Sequence, residues 1–416
     1  MLLALSSYHY IIIFSLTIII SYFFNLYAKK SGVPAVLMLI GLGVLINYSL
    51  RFSGIGKPDL LPILEVLGVT GLILIVLEAA LDLHLLKEKF SLITRSFLSA
   101  LIAFVATSYL SALTLSFLMD VEVLNVLLYT IPLSILSSAI ILPSIDDLSP
   151  DKKEFMIYES TFSDIIGIIA FYAVLTVVGS NSSGAVYGEV FGNLALTIVV
   201  SVFISYLLIY VFQKITGHGK LFLLIAILLL LYSVGKLFHL SSLIIILIFG
   251  VILNNYNVFF GGDFKKFIDL KKVASVLEDM KIITAESAFV VRTFFFIIFG
   301  WSVYLGTLLN LKVVGIGLII ILLIYLIRGL ILFLFNGKNI FPEIFLAPRG
   351  LITILLFFAI PEHLVLGKEF HGILLFVIIT SCLIMTWSMI SFKNQSAVSE
   401  KDMETDEVSG DNEIVD

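Results

Sequence analysis

The chain is short of charge, of cysteine and of histidine, and each shortage excludes something. Only 13% of its 416 residues are charged, while 60% are hydrophobic. A soluble protein of this length needs far more polar surface to cover itself, so a large water-soluble globule is ruled out. The single cysteine, Cys382, lies within an apolar run, which excludes disulfides and thiolate metal sites. The six histidines are scattered near the ends of apolar segments or in loops and offer no metal cluster. A net charge of −5 is too small to imply a nucleic-acid partner. No basic residue precedes the first apolar segment and Lys29-Lys30 follow it, so it reads as an uncleaved first span rather than a signal peptide.

What is present is a succession of apolar runs from Ile11 to Ile390, interrupted only briefly, which marks a polytopic membrane protein. Dividing the runs at their polar breaks predicts an all-α fold of about thirteen transmembrane helices of roughly 17 to 25 residues. The expected spans are Ile11 to Tyr27, Val33 to Tyr48, Leu60 to Leu83, Phe97 to Leu118, Val123 to Leu142, Ile157 to Val178, Phe191 to Phe212, Leu221 to Leu237, Leu240 to Leu253, Thr284 to Leu308, Val313 to Phe335, Ile344 to Ile360 and Ile373 to Phe392. Lys and Arg crowd alternate loops, leaving only Arg51, Lys57, Lys236, Lys312 and Lys368 on the poorer side. The richer side is therefore cytoplasmic, with the N-terminus outside and the C-terminus inside, in a cell membrane of the bacterial inner-membrane kind.

Three arginines, Arg292, Arg328 and Arg349, fall inside spans and need partners there. The acidic residues at comparable depth are Glu78, Glu159 and Asp164, with Asp82 and Glu286 nearer the cytoplasmic boundary.

The first six and last six spans form two halves of opposite orientation joined by the seventh, as in many secondary transporters. Their helix breakers correspond. The fifth span of the first half carries Ile131-Pro132, then Ser134, Ser137 and Ser138, then Pro143; its counterpart carries Phe341-Pro342, then Ala347-Pro348-Arg349-Gly350. A proline inside a span frees backbone carbonyls, which lipid tolerates only where protein or a water-filled cavity satisfies them. Two matched breaks point to a site at the membrane midplane.

The hexapeptide Glu159-Ser160-Thr161-Phe162-Ser163-Asp164 lies in the sixth span. A lone ionised side chain at bilayer depth costs about 3 kcal/mol on insertion scales, so such a residue marks an ion path or a proton relay. Helix geometry separates Glu159 from Asp164 by about 140° and about 7.5 Å, and they face different neighbours. Ser160, one turn before Asp164, is placed to join its carboxylate around a small cation. Glu159 is assigned to Arg349, because a guanidinium at depth needs a permanent counter-ion. Asp164 is then left without a fixed cation. A carboxylate so placed holds a proton or a dehydrated monovalent cation in turn, which couples two opposite fluxes if the site opens to one side at a time.

These residues resemble a family. Glu159-Ser160-x-x-Ser163-Asp164 is similar to the Glu-Ser-x-x-Asn-Asp motif of the monovalent cation/proton antiporters, in their sodium/proton exchanger branch. Gly71 to Asp82 looks like that family's third span, Arg292 to Gly300 like its tenth, and Ala347 to Gly350 like its twelfth. The resemblance implies a dimer-forming scaffold from spans one to three and eight to ten within a membrane domain of residues 1–393. It implies a core bundle from spans four to six and eleven to thirteen, a homodimer in lipid, and elevator-like motion of the core. It assigns ion binding to Asp164, a coordinating hydroxyl to Ser160 and an ion pair to Glu159 with Arg349. The transported cation and H⁺ are then substrates, with no cofactor and no catalysis. Two departures stand out: Ser163 replaces the asparagine, and Ser137-Ser138 stand where many members carry Thr-Asp. One carboxylate at the site favours an electroneutral one-for-one exchange, with Na⁺ ahead of Li⁺ or K⁺.

Other features take plainer readings. Glu78 and Arg292 pair within the scaffold or stay apart, Arg292 reaching the interface. Arg328 bonds carbonyls freed by a broken helix. Asp146-Asp147 is a solvated cytoplasmic loop. Phe264 to Lys272 looks like a basic interfacial helix. Residues 394–416 are polar and acidic and are expected to be a disordered cytoplasmic tail, with no soluble regulatory domain following. Competing functions are an organic-anion symporter with Arg349 clamping a carboxylate, and a membrane-bound glycan enzyme, which the short outer loops disfavour.

Overall fold

The computed structural model describes residues 7–52, 60–85, 87–179, 186–214, 220–237, 242–260, 269–303, 305–367 and 369–410. The chain folds into α1 (Ser7–Ser31), α2 (Ala35–Phe52), α3 (Leu61–Asp82), α4 (Phe90–Met119), α5 (Val123–Ser134), α6 (Ser138–Ile141), α7 (Pro150–Gly179) and α8 (Val186–Phe212). It continues through α9 (Lys220–Leu237), α10 (Ser242–Asn254), α11 (Tyr256–Phe259), α12 (Leu270–Ser302), α13 (Leu311–Asn336), α14 (Leu351–Phe358) and α15 (Glu369–Gly410). No strand occurs among the described residues. Lipid offers the backbone no partners, so each run must close its own hydrogen bonds as helix. Among the described residues eight segments are long and apolar enough to cross a membrane, one of them the interrupted Val123–Ser144.

Every expected span meets a helix, and two meet helical pieces on either side of an extended break. Several helices outrun the hydropathy. The structure starts α4 at Phe90, α7 at Pro150 and α12 at Leu270, well before the expected Phe97, Ile157 and Thr284. Hydropathy marks the length in lipid, whereas a capped helix continues into the polar layer. Asp269 caps α12, accepting the N–H groups of Lys271 at 3.1 Å and Lys272 at 3.4 Å. Of the segment read as an interfacial helix, Lys271 and Lys272 form this first turn, and residues 264–268 lie outside the described residues. At the other end α15 runs on to Gly410, because neither proline nor glycine interrupts residues 373–409. Residues 394–410, expected without structure, therefore extend this helix, and 411–416 lie outside the described residues.

Two groups of helices surround the site. In one, α12 packs on α2 and α3, and α10 on α3, α8 and α9. In the other, α4 packs on α5, α7 and α13, α15 on α13, and α14 on α5. The α2–α12 contact is backbone to backbone: a Cβ on Gly43 would meet the Trp301 nitrogen at 2.9 Å, and one on Gly300 the Ile40 carbonyl carbon at 2.9 Å. Small residues at such crossings let membrane helices approach closely.

Candidate functional site

Both broken spans cross at the centre. Pro132 contributes no N–H, and α5 ends two residues later; Ile135 to Ser137 are extended before α6 begins. On the other side of the crossing, a 3-10 turn at Glu343–Phe345 gives way to non-helical residues 346–350, after which α14 starts at Leu351. The two breaks serve each other's freed groups. Ser137 donates its N–H to the Pro348 carbonyl at 3.0 Å, and Leu136 donates to Ser163 Oγ at 2.9 Å. The approach is close enough that a Cβ on Gly350 would collide with Ser137 Oγ and lie 2.8 Å from Ser137 Cβ.

Asp164 projects from α7 against this crossing and is 2% exposed. Ser138, the first residue of α6, donates its hydroxyl to Asp164 Oδ2. Oδ1 has no hydrogen-bond partner among the described residues. Ser160, expected beside Asp164, instead donates to the Met156 carbonyl at 2.8 Å, with Ile157 O at 3.3 Å. A helical serine finds its own backbone four residues back more readily than a neighbour on its face. Of the hydroxyls singled out in the sequence, Ser138 is the one that reaches Asp164, Ser163 braces the first break, and Ser137 joins the breaks through its backbone.

The ion pair expected between Glu159 and Arg349 is not formed. Glu159 pairs with Arg328 of α13, Nη2 to Oε2 at 2.9 Å, and accepts the Ser99 hydroxyl at 2.8 Å. Arg328 also donates from Nε to the Glu343 carbonyl at 3.0 Å, in the turn before the second break. Arg349 lies in the break itself. Its Nε donates to the Leu133 carbonyl at 2.6 Å and its Nη1 to that of Ala347 at 3.3 Å. No carboxylate of the described residues lies within 4.0 Å of it. The physical reason is position: Arg349 is surrounded by carbonyls that the breaks release, whereas Arg328 faces α7 across an unbroken helix.

Arg292 and Glu78 do pair, at 3.3 Å, as one of the two readings had it. Asp146 and Asp147, in the loop before α7, meet Lys153 at 2.7 Å and Lys393 at 2.8 Å. One pair escaped sequence reasoning. Glu343 is 1% exposed and is held by Lys152 at 2.8 Å, and the same ammonium takes the Phe341 carbonyl at 2.6 Å. The signal in the sequence is a carboxylate directly after the breaker Phe341-Pro342.

Access to the crossing comes from the side of the Asp146 loop. A vestibule of about 620 Å³ runs from Asp146 and Glu286 past Phe289 to Arg292. It shares Ala139, Pro143 and Arg292 with an inner cavity of about 90 Å³ that reaches Ser138. Aromatic rings cluster between α5 and the connection from α14 to α15. The Tyr129 ring lies tilted 4.3 Å from Phe370 and edge-on 5.3 Å from Phe357, and Phe357 lies 5.0 Å from His371. The Tyr129 hydroxyl accepts the Leu366 N–H at 2.8 Å and donates to Leu364 O at 3.2 Å.

Crossed broken helices beside the buried Asp164 set the architecture, and comparison with known proteins agrees on the fold. Residues 13–391 match the family described as sodium/hydrogen exchanger, transmembrane. The chain belongs to the sodium/hydrogen exchanger family. This exchanger is a multi-pass membrane transporter and not an enzyme, which removes the glycan-enzyme reading. Its fold is that of the sodium proton antiporter MjNhaP1 from Methanocaldococcus jannaschii. The structure of that antiporter at pH 8 gives a TM-score of 0.70 at 20% identity, covering 93% of this chain and 97% of that one. Its electron-microscopy structure gives 0.67 at 18% identity, covering 95% and 98%. No match is found among curated protein sequences.

Proposed function

We propose that this exchanger moves a monovalent cation, Na⁺ ahead of Li⁺ and K⁺, against H⁺ at Asp164, one for one. The observation that carries the reading is Asp164 itself: a buried carboxylate beside crossed breaks, with one oxygen on Ser138 and the other free of protein partners. Such a group takes a proton or a partly dehydrated cation, and the two exclude each other. Glu159 and Glu343 do not compete, since each is held by a basic side chain. Ser138, which touches Asp164, is the hydroxyl best placed to join the cation's ligands; Ser160 and Ser163 support the helix and the first break. The inner cavity supplies the route on one side and the Tyr129 cluster blocks the other, as alternating access requires. In this reading the group of α4 to α7 with α13 to α15 moves against the scaffold of α1 to α3 with α9, α10 and α12. The protein works as a homodimer in the cell membrane, N-terminus outside and C-terminus cytoplasmic.

The test is dequenching of a pH probe in everted vesicles on adding Na⁺, Li⁺ or K⁺, comparing the native protein with Asp164→Asn. Cation-specific proton movement that vanishes in the variant supports the reading and names the ion. Exchange that survives in Asp164→Asn, or no response to any cation from about pH 6 to 9, overturns it.

A further inference from the structure

Thr161 is the hydroxyl in the Glu159 to Asp164 motif whose behaviour differs from its neighbours. Helical threonines of this chain divide: Thr94, Thr114, Thr176 and Thr386 bond the carbonyl four residues back at 2.8 Å, whereas the buried hydroxyls of Thr130 and Thr284 have no partner among the described residues. Thr161 is of the second kind. It is 1% exposed, and its hydroxyl has no hydrogen-bond partner among the described residues. A buried hydroxyl that declines its own backbone needs something else to bond. Thr161 lines the inner cavity opposite Ser138.

The cavity's other polar walls define what it can take. Glu78 is already paired with Arg292, at 3.3 Å. Asp82 makes no ion pair within 4.0 Å among the described residues, although Lys281 and His84 lie near enough to attract it. The ligand set is therefore hydroxyl oxygens and one unpaired carboxylate, with the Arg292 guanidinium facing the same space. One unpaired carboxylate beside the Glu78–Arg292 pair leaves a single net negative charge, which suits a monovalent cation held weakly; a divalent ion asks for more carboxylates. A water takes about 30 Å³ of the liquid, so a cavity of about 90 Å³ holds a small cation with part of its hydration shell. Thr161 precedes Asp164 by three residues, which on a helix is about 4.5 Å of rise and about 60° of rotation.

We propose that the inner cavity is a staging site for a partly hydrated monovalent cation, and that the Thr161 hydroxyl takes the ion from Asp82 and passes it toward Ser138 and Asp164. This rests on the reading of Asp164 as the exchange site. Thr161 is then an affinity-setting ligand on the vestibule side. The valine that replaces it without change of shape keeps the packing and removes only the hydroxyl.

The experiment measures half-saturating Na⁺ in everted vesicles for Thr161→Val, Thr161→Ser and Asp164→Asn. Loss of one uncharged ligand hydroxyl is expected to raise half-saturation by about fivefold in Thr161→Val, with Thr161→Ser near native and the larger effect on half-saturation rather than on turnover. Native half-saturation in Thr161→Val, alongside an inactive Asp164→Asn, overturns the staging site and leaves the exchange site standing. An active Asp164→Asn overturns both. Size exclusion in detergent checks that each variant is folded, and Thr161→Ala replaces Thr161→Val if the latter is not recovered. Na⁺-dependent thermal stabilisation of the purified protein gives the same comparison without transport, and an equal response in native and hydroxyl-free protein counts against the proposal.

Discussion

Arg328 holds Glu159 at 2.9 Å between α13 and α7, while the Arg349 side chain, within the crossing, donates among the described residues to carbonyl oxygens alone. The two arginines therefore fail differently when removed. Arg328→Met leaves Glu159 buried without its cation and is expected to cost about 3–5 kcal/mol. Adding Glu159→Met should recover part of that loss. For Arg349→Met the same second substitution recovers nothing, and thermal unfolding of the four variants in detergent separates the two arginines.

Gly350 faces Ser137 so closely that any side chain must part the two breaks. Gly350→Ala is expected to destabilise by about 1–3 kcal/mol through overpacking and to reduce exchange at temperatures where the protein remains folded. A variant with native unfolding temperature and native exchange would mean that the crossing tolerates a wider gap.

Ser138 and Ser160 divide a role that the sequence assigned to Ser160. Ser138 donates to Asp164, so Ser138→Ala should raise half-saturating cation by roughly tenfold or more, the loss expected of a hydrogen bond to a charged group. Ser160 bonds its own helix. Ser160→Ala should move half-saturation by less than about twofold. The reverse order, measured by cation titration in vesicles, would return the ligand role to Ser160.

Lys152 fastens the start of α7 to the turn that precedes the second break, through Glu343 and the Phe341 carbonyl. A double-mutant cycle of Lys152→Met with Glu343→Gln should show a coupling of about 1–3 kcal/mol in unfolding free energy. Additive losses would mean that the ammonium acts through the Phe341 and Asn339 carbonyls instead.

Much of this arrangement was legible in advance, for physical reasons that also explain the errors. Proline has no N–H wherever it stands, so Pro132 and Pro348 announced both breaks. Glu159 and Asp164 announced themselves by depth, since charge in lipid demands an explanation. Partnership is another matter: Arg328 and Arg349 both fall inside apolar spans, and only the packing of α13 against α4 decides which of them faces Glu159. The Ser160 assignment erred because spacing on a helix gives a face, whereas the hydroxyl's bond depends on a rotamer. Nothing in the sequence tells that the long side chain of Lys152 returns to the buried Glu343 carboxylate.

The Tyr129 hydroxyl is clasped to Leu364 and Leu366, both in the connection from α14 to α15. Turning the ring alone cannot unblock that end, because the clasp ties it to the chain it would have to pass. Residues 359–367 must travel with it, drawing on α14 and hence on the second break. A nanobody raised against that connection would therefore act as a brake, holding the exchanger shut without touching an ion ligand.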